Sequence, residues 1–275
     1  MQQSQRRTIL ITGANKGIGY ATVERFVSEP IPYEIILTSR DVKLGEKAVA
    51  TIQSKHPQSS STVAYHQLDV NDERSVENLV NWVKDSNKKI DVLINNAAVC
   101  YRFSNDEEKR FTINTNYFSV VNLTEKFIPF LSDDAKILQI SSVIGQLQFQ
   151  GETLRNALID ASLTQPKLHE IASNFIEWTQ DYKTWDPAVA NDSSYPGSKA
   201  LLNAYIRYFL PLKVKTTQQV YAVHPGWIKT DMGGEDAPGA LEEGADTIVY
   251  LTNLPFKKDT ELNARMIGDR KVMDF

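Results

Sequence analysis

Tyr195 and Lys199 stand four residues apart in Tyr195-Pro196-Gly197-Ser198-Lys199, where a helical pattern begins, so both fall on one helix face. A phenol titrates near pH 10, and a neighbouring ammonium favours its phenolate, which draws the group toward a value useful for proton transfer. Tyrosine–lysine pairs at this spacing also occur on ordinary solvated helix faces, so the pair needs partners before it means chemistry. Ser142, in Ser141-Ser142 at the end of an apolar run, offers a hydroxyl that could polarise a carbonyl oxygen as negative charge develops on it. Near the start of the chain, Thr12-Gly13-Ala14-Asn15-Lys16-Gly17-Ile18-Gly19 follows a strand-like run and opens a helical one. Glycine there permits a tight turn and close approach to a pyrophosphate, whose charge the N–H groups at a helix start stabilise. A strand, glycine loop and helix in that order suit a dinucleotide.

Positioning these groups requires a sheet with helices on both faces. Thr8–Thr12, Tyr33–Thr38, Thr62–Leu68, Val92–Asn95, Lys136–Ser141 and Val220–His224 read as buried strands, and Met266–Gly268 as a last short one. Helical patterns lie between them at Gly17–Ser28, Lys43–Lys55, Glu73–Asp85, Glu107–Leu131, Tyr195–Leu210 and Leu241–Leu251. This alternation predicts an α/β fold, a doubly wound parallel sheet of Rossmann type, with residues 1–275 in one domain. The stretch from about 145 to 194 is too long for a simple loop and is expected to form a helical insertion, with helices over Glu152–Ala161 and Gln165–Asp181. Ser59–Ser61 reads as a loop.

Composition narrows the function classes. With 41% hydrophobic and 23% charged residues the chain has the makings of an ordinary core. Its 30 basic and 34 acidic residues form no long run of one sign, so no nucleic-acid or anionic-membrane partner is expected. The one cysteine, Cys100, cannot make an intrachain disulfide, and His56, His66, His169 and His224 lack metal-ligand spacing, so no metal is expected. Neither a signal-peptide pattern nor about 18 consecutive apolar residues occurs, which reads as a soluble cytoplasmic protein.

From Thr12 to Gly19 the chain resembles the short-chain dehydrogenase/reductase family, whose nucleotide loop is Thr-Gly-x-x-x-Gly-x-Gly. The resemblance continues to the end of the chain. Asp69-Val70 resembles the family's adenine-contacting pair, and Asn95-Asn96-Ala97-Ala98 its Asn-Asn-Ala-Gly, with Ala98 in place of glycine. Family membership implies a catalytic set of Asn116, Ser142, Tyr195 and Lys199. In it Asn116 distorts its helix and holds a water linking the lysine to solvent, Tyr195 and Lys199 adjoin the cofactor, and Ser142 and Tyr195 adjoin the substrate. Asn116 fits better than Asn114 because Phe118-Ser119 follows it at the family spacing, although Ser119 replaces a glycine. His224-Pro225-Gly226-Trp227-Ile228-Lys229-Thr230-Asp231-Met232 resembles the Pro-Gly segment. There Pro225, Gly226, Ile228 and Thr230 would hold the nicotinamide, and Trp227 and Met232 would edge the substrate pocket.

Charge at the end of the second strand selects the cofactor. An acidic residue would grip a free ribose 2′-hydroxyl, whereas Ser39-Arg40 offers a cation; Lys16 offers another, and in this family the two mark users of NADP(H). Asp41 is the dissenting residue. Fifty-two residues separate Ser142 from Tyr195, far more than in most family members. That insertion, the Pro-Gly-Trp segment and Glu242–Asp246 resemble the monomeric cytosolic carbonyl reductases. The resemblance implies NADPH-dependent reduction of quinones, aromatic aldehydes and ketones, with Tyr195 as proton donor, and a monomer because the insertion covers helix faces used for pairing. An alcohol or hydroxysteroid dehydrogenase would use the same residues in the oxidative direction. A non-catalytic NADPH-sensing module would have no chemical need for Tyr195 and Lys199 together.

Overall fold

A computed structural model describes residues 6–101, 104–181, 193–255 and 261–275. The strands are β1 (Arg7–Ile11), β2 (Tyr33–Ser39), β3 (Thr62–Gln67), β4 (Ile90–Asn95), β5 (Leu131–Ile140), β6 (Gln219–His224), β7 (Arg265–Gly268) and β8 (Lys271–Met273). They form one sheet in the order β3-β2-β1-β4-β5-β6-β7-β8, parallel up to β7 and antiparallel at β8. The order reverses between β1 and β4, and in such sheets ligands bind outside the carboxyl ends of the strands at that point.

Central strands are nearly all apolar because both faces are covered. Leu10, Ile36, Leu93, Ile137 and Val220 face one core, and Ile9, Ile35, Val92, Leu138 and Val223 the other. The second core packs under α1 (Gly17–Ser28), α2 (Val42–Lys55) and, beyond the insertion, the helix at Leu241–Asn253. The first packs under α3 (Glu73–Asp85), α4 (Asp106–Ile113) and α5 (Ser119–Phe127), and under the helix at Ser194–Tyr208.

Four elements differ from the sequence expectation. The helix expected over Glu107–Leu131 is two helices, α4 and α5, separated by a π turn at Asn114–Phe118. It stops at Phe127 because Pro129 cannot continue the ladder, and β5 begins at Leu131, earlier than the expected Lys136. In the insertion, α6 (Glu152–Ile159) matches the first expected helix. The second is broken at Asn174 into α7 (Gln165–Ser173) and α8 (Phe175–Trp178), with residues 182–192 outside the described set. Finally, β7 turns back into β8, a strand absent from the sequence reading. Asp269 and Arg270 take φ of 47° and 60°, a two-residue hairpin turn that usually advertises itself with Asn-Gly.

The insertion lies against the first core, to which it adds Leu154, Leu158, Leu168, Ile171 and Phe175. Phe175 packs on Gly197, where an added Cβ would come within 2.2 Å of its ring, and Gln165 donates to Glu125 of α5 at 3.0 Å. Completing the set, α9 spans Ser194–Tyr208 and α10 Leu241–Asn253. Among the described residues no helix is long and apolar enough to cross a membrane, and no three His, Cys, Asp or Glu side chains cluster as metal ligands would.

Candidate active site

The glycine loop leaves β1 at the switch point and is held by the segment after β4. Thr12 Oγ1 accepts from the backbone N–H groups of Asn96 and Ala97 at 3.0 and 2.9 Å, while Asn96 Nδ2 donates to the carbonyls of Thr12 and Gly13. Gly13 has φ of +64° and its α-carbon faces Ala97, where a Cβ would sit at 3.0 Å. At Gly19 a Cβ would come within 2.6 Å of Asn96 Nδ2. These glycines leave a bare backbone cradle ahead of the α1 N-terminus, with half-buried Asn15, Gly17 and Ile18 along it, and that fits a pyrophosphate.

Around the cradle, Asp69 and Val70 lie at the end of β3. The Asp69 carboxylate accepts from Asn71 N at 2.9 Å and Val70 packs on the core. At the end of β2, Arg40 is exposed, and the Asp41 side chain accepts from Leu44 N at 2.9 Å as the N-cap of α2. The acid that could have disfavoured a 2′-phosphate is thus engaged with its own helix. Lys16 stands differently from the expectation of a second phosphate cation. Its ammonium pairs with Asp231 at 2.5 Å, both side chains being exposed, and so bridges the glycine loop to the segment after β6.

That segment lies opposite the loop. Gly226, after Pro225, has φ of +91°; Ile228 is buried against Gly239 and Gly244, and the Thr230 methyl lies 3.6 Å from where a Gly17 Cβ would be. Trp227 and Met232 are 52% and 43% exposed, and Trp227 Nε1 donates to the Gly233 carbonyl at 2.9 Å.

Tyr195 and Lys199 occupy the first turns of α9. The Lys199 ammonium lies 5.5 Å from the centre of the Tyr195 ring and donates to the Ile140 carbonyl at 2.7 Å, which ties α9 to the end of β5. Burial pushes the Lys199 pKa down to about 8, partly opposed by the nearby Cys100. Tyr195 moves up rather than down: burial dominates, Cys100 adds to it, and a hydrogen bond with Ser142 opposes it. Desolvation therefore outweighs the lowering effect of Ser142, and the phenol keeps its proton at neutral pH.

The two serines differ in their surroundings. Ser141 is 2% exposed and donates to Asn203 Oδ1 at 2.6 Å, whereas Ser142 is half-buried and near enough to the Tyr195 hydroxyl to oppose the rise of its pKa. Asn116 is fully buried within the π turn. Its Oδ1 accepts from Val99 N, and its Nδ2 donates to the Val99 carbonyl and to Ser198 Oγ. Asn114 instead faces Asn71 on the outer side, as does Ser119. Asn116, Ser142, Tyr195 and Lys199 thus meet at one end of the sheet.

A profile of the family described as short chain dehydrogenase matches residues 7–154. The chain belongs to this family. It is 30% identical to carbonyl reductase (NADPH) 3 of Mus musculus over 97% of each chain, and 33% identical to the (+)-neomenthol dehydrogenase of Arabidopsis thaliana over 94% of this chain and 95% of the relative. Among solved structures, salutaridine reductase of Papaver somniferum superposes with a TM-score of 0.81 at 27% identity, over 96% of this chain and all of that one.

In this short-chain dehydrogenase the sequence reading passed over three residues beside the site. Ser198 accepts from Asn116 and donates to the Tyr195 carbonyl at 2.7 Å, joining the π turn to α9. Asn203 and His224 both hold the loop that carries Ser142. Asn203 lies one helical turn beyond Lys199, a spacing that would have placed it on the same face. His224 carried no such signal.

Proposed function

We propose that this protein reduces the carbonyl group of small molecules with NADPH, and that the neighbouring Tyr195 and Ser142 beside Lys199 are where the carbonyl oxygen sits. Their meeting at the carboxyl end of β5, where Lys199 is tied to Ile140, carries the reading. Bound NADPH would supply the hydride. Gly13, Asn15, Gly17, Ile18 and Gly19 would receive its pyrophosphate, Asp69, Val70, Asn96 and Ala97 would border the adenosine side, and Pro225, Gly226, Ile228 and Thr230 the nicotinamide side. Arg40 would meet the 2′-phosphate, with Lys16 available once it releases Asp231. The mouse relative's name specifies both NADPH and a carbonyl substrate, which supports the choice.

As charge builds on the substrate oxygen, the Ser142 hydroxyl stabilises it and Tyr195 hands over its proton. An alkoxide is more basic than any phenol, so the transfer runs downhill even with the Tyr195 pKa raised. Lys199, cationic below about pH 8, compensates the phenolate left behind. Asn116 fixes the segment after β4 against α9. Trp227 and Met232, exposed at the lip, suit flat or apolar acceptors such as quinones and aromatic aldehydes and ketones. The insertion lies on α5 and α9 and covers helix faces that could otherwise pair subunits, which favours a monomer. A second reading, alcohol oxidation by the same residues, is favoured by the neomenthol dehydrogenase relative.

The cofactor assignment is tested by Arg40→Asp, assayed with a panel of quinones and ketones by loss of reduced nicotinamide absorbance. Exchanging a fork of donors for a carboxylate should raise KM for NADPH by about 100-fold and that for NADH by less than about 3-fold. Equal changes for both cofactors would overturn it. Tight NADPH binding without turnover of any carbonyl or alcohol would instead favour the sensing module.

A further inference from the structure

The loop that carries Ser142 is gripped from two sides. On the α9 side, Asn203 accepts from Ser141 Oγ at 2.6 Å and donates from Nδ2 to the Gly145 carbonyl at 3.2 Å. Gly145 lies so close to the helix that a Cβ there would come within 2.6 Å of the Lys199 Cβ. On the β6 side, the backbone N–H of Val143, the residue after Ser142, donates to His224 Nδ1 at 3.3 Å. The loop also closes on itself, Gly145 N donating to the Ser142 carbonyl at 3.0 Å. The His224 ring rests on Gly268 of β7, whose missing side chain makes the room: a Cβ would stand 3.3 Å from it. One histidine therefore connects the serine loop to the strand end that opens into Pro225-Gly226.

We propose that His224 is a positioning residue for the reduction, fixing the Ser142 loop against Asn203 and α9 through the acceptor nitrogen Nδ1. This rests on the Tyr195–Ser142 reading of the site. An imidazole that accepts at Nδ1 carries its proton on Nε2, and a second proton would turn Nδ1 into a donor facing the Val143 N–H. Burial holds the His224 pKa below its ordinary value and so preserves the acceptor; Asp269, in the turn after β7, pulls the other way, while Val143 and Gly268 bring no charge. The brace is accordingly present at neutral pH and lost as pH falls through that lowered value.

The test compares His224→Phe, which keeps the bulk and removes the acceptor, with His224→Asn, whose Oδ1 can accept but does not titrate. His224→Phe should lower kcat about 10-fold with KM for NADPH within about 2-fold, because loss of the brace displaces Ser142 rather than the cofactor. His224→Asn should recover kcat to within about 3-fold of the wild type and lose the acid limb of its pH profile. Nitrogen NMR of the cofactor-free protein should show the Nε2–H tautomer at His224, a readout that survives even where His224→Phe does not fold. Wild-type kcat in His224→Phe, equal impairment of both variants, or an Nδ1–H tautomer would each overturn the proposal. With Tyr195→Phe as a parallel control, an inactive Tyr195→Phe beside an unimpaired His224→Phe removes the brace alone, whereas an active Tyr195→Phe removes the site reading beneath it.

Discussion

Tyr195→Phe should lower kcat for a good carbonyl acceptor by about 1000-fold, within the range general acid catalysis contributes. The substitution deletes one oxygen from the start of α9, where Pro196, Gly197, Ser198 and Lys199 are all buried and hold the turn in place. The fold should therefore persist, and NADPH binding measured by fluorescence titration should stay within a few-fold of the wild type. The Ser142 hydroxyl remains and can still polarise the substrate, which leaves a residual rate rather than none. Turnover equal to the wild type would remove the proton donor from the account.

Lys199→Met should cost a further share of the same chemistry, about 100-fold in kcat, and should change the shape of the pH profile. Burial sets the ammonium's pKa at about 8, so the charge that compensates a Tyr195 phenolate is present below that pH and lost above it. Wild-type kcat for reduction should consequently fall as pH rises through about 8, and Lys199→Met should lack that alkaline limb. The stability linkage has a definite sign. Between about 8 and 10.5 the unfolded chain holds a proton that the folded one has released, so stability contributed by this group rises with pH across that window. Below it the buried charge is a cost, and Lys199→Met should melt at or above the wild-type Tm while being much slower, a trade of stability for function. A variant that keeps the alkaline limb would show that another group sets it.

Where local chemistry decided the structure, the sequence was sufficient. Gly17–Ser28 and Glu73–Asp85 run as their patterns predicted, one launched by the glycine loop and the other by the Asp72 side chain accepting from Arg74 N. Where distant partners decided it, local pattern was silent. No glycine or proline marks the π turn at Asn114–Phe118, and only the family resemblance, which gives Asn116 a helix distortion, pointed to it; its side chain bonds to Val99 and to Ser198, 17 and 82 positions away. The Asp269-Arg270 turn hid its hairpin because neither residue is the glycine that positive φ usually selects. The Lys16–Asp231 ion pair spans 215 positions, and no local pattern announces it. The preference for Ser142 over Ser141 came from family resemblance alone, and the physical reason for it is that Asn203 already engages Ser141.

In the proposed reaction hydride passes directly to a carbonyl carbon while the proton arrives separately through Tyr195. NADPH deuterated at the transferable position of the nicotinamide, in ordinary water, with a ketone acceptor and mass analysis of the product, tests this. The expected alcohol carries deuterium on its carbinol carbon and solvent-exchangeable hydrogen on its oxygen. An alcohol free of deuterium, or no alcohol from any carbonyl in the presence of bound NADPH, would contradict it.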